Sequence, residues 1–287
     1  MITAADFDGL FARVDRSGRF GPDDRHGALN FITPAVRAAA LAQATGDLVI
    51  SCARTIATDV GGPVELVRSV DALPDQHWSA VNEQLHVQGH GRDGTTHLDS
   101  LAHFAWKGTA HNHRVQVPLP GQPMLDVGAP AQGVLTRGFL VDLPTAVHGN
   151  RLPAGVSCPL PLLQQLLEHT DVTPRSGDAL VLRMNHGSGP EIGGLSMECA
   201  EWLHDQQISL IITDAGLETE PSEVEGNLVP WHVLTLTAMG IHLVDLADLA
   251  ALADVCRQRQ DWTFLLTLAP APLIGSTSAL INPLAVF

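Results

Sequence analysis

The stretch GRDGTTHLDSLAHF, Gly91 to Phe104, sets two histidines around an aspartate: His97, Asp99 and His103. On an extended backbone, residues i and i+2 face the same way. His97 and Asp99 would then stand side by side, an imidazole and a carboxylate suited to Zn²⁺ or Mn²⁺. His103 follows Asp99 by four residues, and a helical turn would return it to the same face. The three groups could converge on one point. The competing reading is local: His97 donates to Asp99, and both satisfy nearby backbone. Spacing alone leaves the two readings balanced, because short motifs recur without function.

The composition narrows the chemistry available. Tyrosine is absent and Lys107 is the only lysine, so a tyrosine acid is excluded, and a Schiff base is excluded unless Lys107 forms it. Fourteen histidines remain, six of them between His86 and His113. Cys52, Cys158, Cys199 and Cys256 are scattered without CxxC spacing, which predicts buried, reduced thiols. A formal charge of −15 argues against nucleic acid and anionic membrane as partners, leaving a small-molecule substrate. No segment approaches the roughly 18 apolar residues of a membrane span, and the N-terminal stretch MITAADFDGLFARVD has no basic, apolar leader. The expectation is a cytoplasmic protein.

The elements that must position the histidines are legible mainly in the second half. Thr33-Pro34 opens a helix, AVRAAALAQAT, closed by Gly46. LVISCARTI, GFLVDLP, DALVLRM, ISLIITDA, IHLVDL and WTFLLTLAP read as strands. CPLPLLQQLLEH, SMECAEWLHDQQ (capped by Ser196), PWHVLTLTAMG and ADLAALADVC read as helices between them. This alternation predicts an α/β fold with a mixed or parallel sheet, in one domain over residues 1–287. The acidic loop ETEPSEVEG, Glu218 to Gly226, reads as solvated surface, with a lid over the site as the other reading.

The same stretch resembles the motif HxGTHxDxxxH of the cyclase family, which includes bacterial kynurenine formamidase and isatin hydrolase; here it reads DGTTHLDSLAH. GPDDRHGALNFITPAVRAAA, LSMECAEWLHDQQISLIITD, PWHVLTLTAMGIHLVDLADL and GSTSALINPLAVF are similar to further family segments, in the same order. The resemblance implies a swivelling β/β/α domain, a homodimer or homotetramer, and one or two Mn²⁺ or Zn²⁺ ions. It implies His97 and Asp99 as metal ligands, His103 as general acid/base, and His232 and Asp245 as the distant ligands. Taken alone, His232 would read as a packing residue and Asp245 as a cap for the next helix. The family's first histidine is replaced by Asp93. A carboxylate there makes the site harder and favours Mn²⁺ over Zn²⁺; His90 could supply the imidazole instead, or metal binding could be lost.

With a metal, the expected activity is hydrolysis of a small amide, cyclic imide or lactone, with Phe104, Trp106, Trp78 and Trp231 as apolar walls. Without one, the same groups could run a ring closure or dehydration of a polyketide-like biosynthetic intermediate. A non-catalytic small-molecule binder is the third reading.

Overall fold

The apolar runs that form the central strands are buried on both sides, which is why they show little alternation. The computed structural model describes residues 1–58, 62–72, 78–87, 94–116, 124–146, 156–184 and 193–287. In chain order the strands are β1 (Val49–Ser51), β2 (Val64–Ala72), β3 (Ser79–Val87), β4 (His97–Asp99), β5 (Val134–Asp142), β6 (Ala179–Arg183), β7 (Leu210–Thr213), β8 (His242–Asp245), β9 (Thr263–Leu268), β10 (Ser278–Leu280) and β11 (Leu284–Val286). Nine of them form one mixed sheet in the order β1-β11-β9-β5-β6-β7-β8-β4-β10, while β2 and β3 pair only with each other. Strands β5 to β8 run parallel; β4, β9, β10, β11 and β1 add antiparallel flanks.

Phe139, Val141, Leu180, Leu182, Ile211 and Leu243 face one core cluster, whereas Leu140, Val181, Ile212 and Val244 face the other. The helices are α1 (Ala4–Val14), α2 (Pro34–Gln43), the single turn α3 (Leu143–Ala146), α4 (Leu160–His169), α5 (Cys199–Asp205), α6 (Pro230–His232) and α7 (Ala250–Arg259). As the sequence predicts, the Thr33 side chain caps α2 by accepting from Val36 N, with Pro34 in the first position. α6 continues into a π-helical stretch, Val233–Met239, buried along its whole length and ended by Gly240 in the left-handed region at φ +66°. No described helix is long and apolar enough to cross a membrane.

Two local expectations are corrected. LVISCARTI pairs as a strand only over Val49–Ser51; past it, Cys52 N bonds Pro283 O and Arg54 N bonds the Thr96 hydroxyl. Ser196 does not cap α5. The helix starts at Cys199, and the Glu223 carboxylate accepts from Met197 N at 2.9 Å and from the Ser196 hydroxyl at 3.4 Å. An acid from the ETEPSEVEG loop therefore holds the entry to α5, and Glu218, Thr219 and Val224 of that loop are buried. The loop is thus solvated only in part, at Glu220, Pro221, Glu225 and Gly226.

Candidate active site

Sheet register brings the first three groups together. β4 pairs antiparallel with β8, setting His97 opposite Asp245. Directly opposed residues share a face, so His97, Asp99 and Asp245 all project from one side of these two strands. One ligand atom from each lies within 4.8 Å of the others. Asp245 is not a helix cap: α7 begins at Ala250, and Asp248 accepts from Ala250 N.

Each side chain is aimed by its own backbone or a neighbour. Nδ1 of His97 donates to the Thr95 carbonyl at 2.9 Å, which turns Nε2 toward Asp99 Oδ1 at 3.7 Å. This is the partnering that fixes tautomer and orientation in a metal-binding imidazole. Thr96 locks the strand in place, its hydroxyl donating to Leu246 O and accepting from Arg54 N. His103 returns to the site through a turn, its N–H bonding Ser100 O, rather than through a helix. Its Nδ1 pairs with the Thr277 hydroxyl at 3.2 Å, and its Nε2 lies 3.8 Å from Asp99 Oδ1. At 31% side-chain exposure, His103 is the most open of these groups.

His232 comes from the end of α6. Its Nδ1 donates to Glu218 Oε1 at 2.8 Å; its Nε2 lies 3.2 Å from Asp245 Oδ2 and 3.9 Å from Asp99 Oδ2. The same Glu218 carboxylate accepts from the backbone N–H groups of Trp231 and His232. Sequence reasoning missed Glu218 as a site residue. Its one signal was position, since it lies five residues beyond the carboxyl end of β7, where open parallel sheets gather functional groups.

Three carboxylates thus crowd buried imidazoles. Burial, reinforced by the negative charge of Asp245 and opposed by His232, pushes the Asp99 carboxyl up to about 8. Burial alone would lower His232, yet its bonds to Asp245 and Glu218 hold its pKa well above the ordinary imidazole value. Asp99 Oδ1 and Asp245 Oδ1 are buried with no hydrogen-bond partner. Unpaired buried carboxylate oxygens are costly, and a cation between them and His97 Nε2 would relieve that cost. The donor set of two carboxylates and imidazole nitrogen therefore fits a divalent ion such as Mn²⁺ or Zn²⁺.

Among the aromatic candidates, Phe104 stands at the site, its ring 4.9 Å from that of His232 and 5.0 Å from that of His103. Two of the other three are taken up in packing. Trp231 is 0% exposed and donates from its ring to Leu195 O, so it is core. Trp106 packs on Phe7 and Phe11 of α1 and donates to Asp8. Trp78 leads into the β2–β3 ribbon. His90 and Asp93 lie outside the described residues. All four cysteines are free and buried, and burial pushes Cys52, Cys158 and Cys256 up to about 12, away from nucleophilic use.

The Cyclase family, described as "Putative cyclase", matches residues 40–217, a span that holds His97, Asp99, His103 and the start of their motif but not Glu218, His232 or Asp245. No curated protein matches the chain in sequence. Similar solved structures include one described as a novel cyclase, 22% identical, covering 96% of this chain and 99% of its own at a TM-score of 0.82. An isatin hydrolase bound to the product analogue thioisatinate is 13% identical, with 83% and 92% covered and a TM-score of 0.56. Isatin hydrolase A from Labrenzia aggregata bound to benzyl benzoate is 13% identical, with 84% and 94% covered and a TM-score of 0.53. These likenesses establish the fold, the α/β cyclase-family architecture that the sequence predicts.

Proposed function

The chain belongs to the Cyclase family, and from that premise we propose that it is a metal-dependent hydrolase of a small amide, cyclic imide or lactone. One observation carries the reading: the Oδ1 atoms of Asp99 and Asp245, buried and without a hydrogen bond, stand beside His97, whose other nitrogen is already engaged. His97, Asp99 and Asp245, with His232 beside them, are the residues that would hold the ion. When bound, Mn²⁺ or Zn²⁺ supplies Lewis-acid polarisation of a carbonyl and a water of pKa about 7.

The protein's own groups do the rest. His103 Nε2 takes the proton from the attacking water and returns it to the leaving nitrogen or oxygen. The Thr277 hydroxyl on Nδ1 keeps that nitrogen facing the site. Phe104 walls the site between His103 and His232 and limits water there. Glu218 holds His232 by ring and backbone, so its Nε2 faces the carboxylates instead of rotating away.

Asp93, where the family has histidine, favours a second reading, a metal-independent acid/base cyclase or dehydratase. One experiment separates the two. Purified protein is assayed on a panel of aryl amides, cyclic imides and lactones, before and after chelation. Hydrolysis that disappears with chelator and returns with Mn²⁺ or Zn²⁺ supports the hydrolase; turnover indifferent to chelator supports the second reading.

A further inference from the structure

Gly216 lies just past the carboxyl end of β7 and is held against the end of β8. Leu246 N bonds the Ala215 carbonyl there, and Ala215 N bonds the Thr213 hydroxyl. From this position Gly216 borders the groups that would hold the ion. A Cβ on it would lie 3.6 Å from Asp245 Oδ2 and 4.0 Å from His232 Cε1, with no further contact within 4 Å among the described residues outside its chain neighbours. Along one edge of the His232 ring, Nδ1 thus meets Glu218, Cε1 faces Gly216 and Nε2 faces Asp245. The Phe104 ring packs on the same imidazole at 4.9 Å.

The fold does not require glycine at this point. At Gly27, Gly138, Gly177, Gly194 and Gly240 an added Cβ would run into backbone or ring atoms. Gly94 and Gly108 hold left-handed φ values of +88°. Gly216 meets neither condition: its φ is outside the left-handed region, and both Cβ contacts are ordinary van der Waals distances. Alanine would fit there, would add dispersion contacts and would narrow the unfolded ensemble. Glycine forgoes that stability and keeps room against Asp245 and His232, as it does where a ligand must come close to backbone.

Resting on the hydrolase reading above, we propose that Gly216 is a specificity-determining position: its missing side chain leaves the space that takes the acyl group attached to the reacting carbonyl. The substrate class this selects is a carbonyl compound whose acyl group is larger than formyl. The Phe104 ring on His232 suits a flat apolar group such as an aryl ring. The bonds of Ala215 to β7 and β8 fix the segment, so a methyl and then an isopropyl group at position 216 fill the space stepwise instead of swinging clear.

The test is titration calorimetry on Mn²⁺-loaded wild type, Gly216→Ala and Gly216→Val, with metal content and circular dichroism measured on each. The ligands are acetohydroxamate and benzohydroxamate, metal-directed carbonyl mimics that differ as methyl against phenyl. Wild type is expected to bind both. Gly216→Ala should weaken benzohydroxamate about 10-fold and Gly216→Val about 200-fold, the range that small changes of pocket volume produce, with acetohydroxamate held within about threefold and metal content unchanged. Metal-loaded, folded variants that keep the wild-type ratio of the two affinities overturn the proposal, as does metal-loaded wild type that binds neither ligand. Loss of metal from a folded Gly216→Ala also overturns it, because the space then belongs to the ion. Wild type that retains no metal is a different failure: it contradicts the hydrolase reading itself, and the proposal falls with it.

Discussion

At the scale of single residues, the site divides into groups that hold and a group that transfers. In the proposed mechanism His103 is the transferring one: it is the most exposed of them, and its Nε2 lies 3.8 Å from Asp99. His103→Ala should lower kcat by roughly 100- to 10,000-fold while leaving the metal content of the protein unchanged, a pair of outcomes read by steady-state kinetics and elemental analysis. In the same proposal Glu218 is a positioning residue, acting through its bonds to His232. Glu218→Gln should weaken metal binding about 10- to 100-fold, as loss of such outer partners does, measured by competition with a chelator of known affinity. The motif residues His97, Asp99 and His103 were legible because adjacent spacing on a strand and turn fixes their side. Glu218 was not, because its role depends on a hydrogen bond to a residue fourteen positions away. For Trp231 and Trp106 the sequence leaves wall and core undivided, because an aromatic ring reads alike in both.

At the scale of elements, the site depends on β4 and β8 lying side by side, a pairing between residues about 145 positions apart that no local pattern encodes. The strands, the α2 cap and the glycine ending the π-helical stretch were readable from apolar runs and from Thr33, Pro34 and Gly240. Where a start was misread, at Ser196, a distant acid (Glu223) had taken over the local role. Gly240 also shows why the π-helical stretch stops where it does. A Cβ there would lie 2.6 Å from the His111 ring and 3.1 Å from the Gly27 Cα, on a backbone at φ +66°. Gly240→Ala should therefore destabilise the fold by at least about 1 kcal/mol, seen as a lower midpoint in urea with unchanged slope.

At the scale of the whole molecule, stability should fall in acid for a specific reason. His242 is fully buried, neither ring nitrogen has a hydrogen-bond partner, and burial, reinforced by His111 and His26, lowers its pKa from 6.5 to about 3. The unfolded chain takes up this proton near 6.5 and the folded one only near 3. Between those values each drop of one pH unit favours unfolding by roughly 1.4 kcal/mol from this group; above 6.5 the effect is absent. Urea unfolding of wild type and His242→Leu at pH 7.5 and 4.5 should show a smaller acid loss in the variant, and equal losses would count against the assignment.

The central claim is that His97, Asp99 and Asp245 form a divalent-metal centre, and metal content reads it most directly. Wild type, Asp99→Ala and His103→Ala are stripped, reloaded with Mn²⁺ or Zn²⁺, desalted and measured by elemental mass spectrometry. One or more equivalents in wild type and His103→Ala, with most of it lost in Asp99→Ala, is the predicted result. No retained metal in wild type, or as much in Asp99→Ala as in wild type, would contradict it.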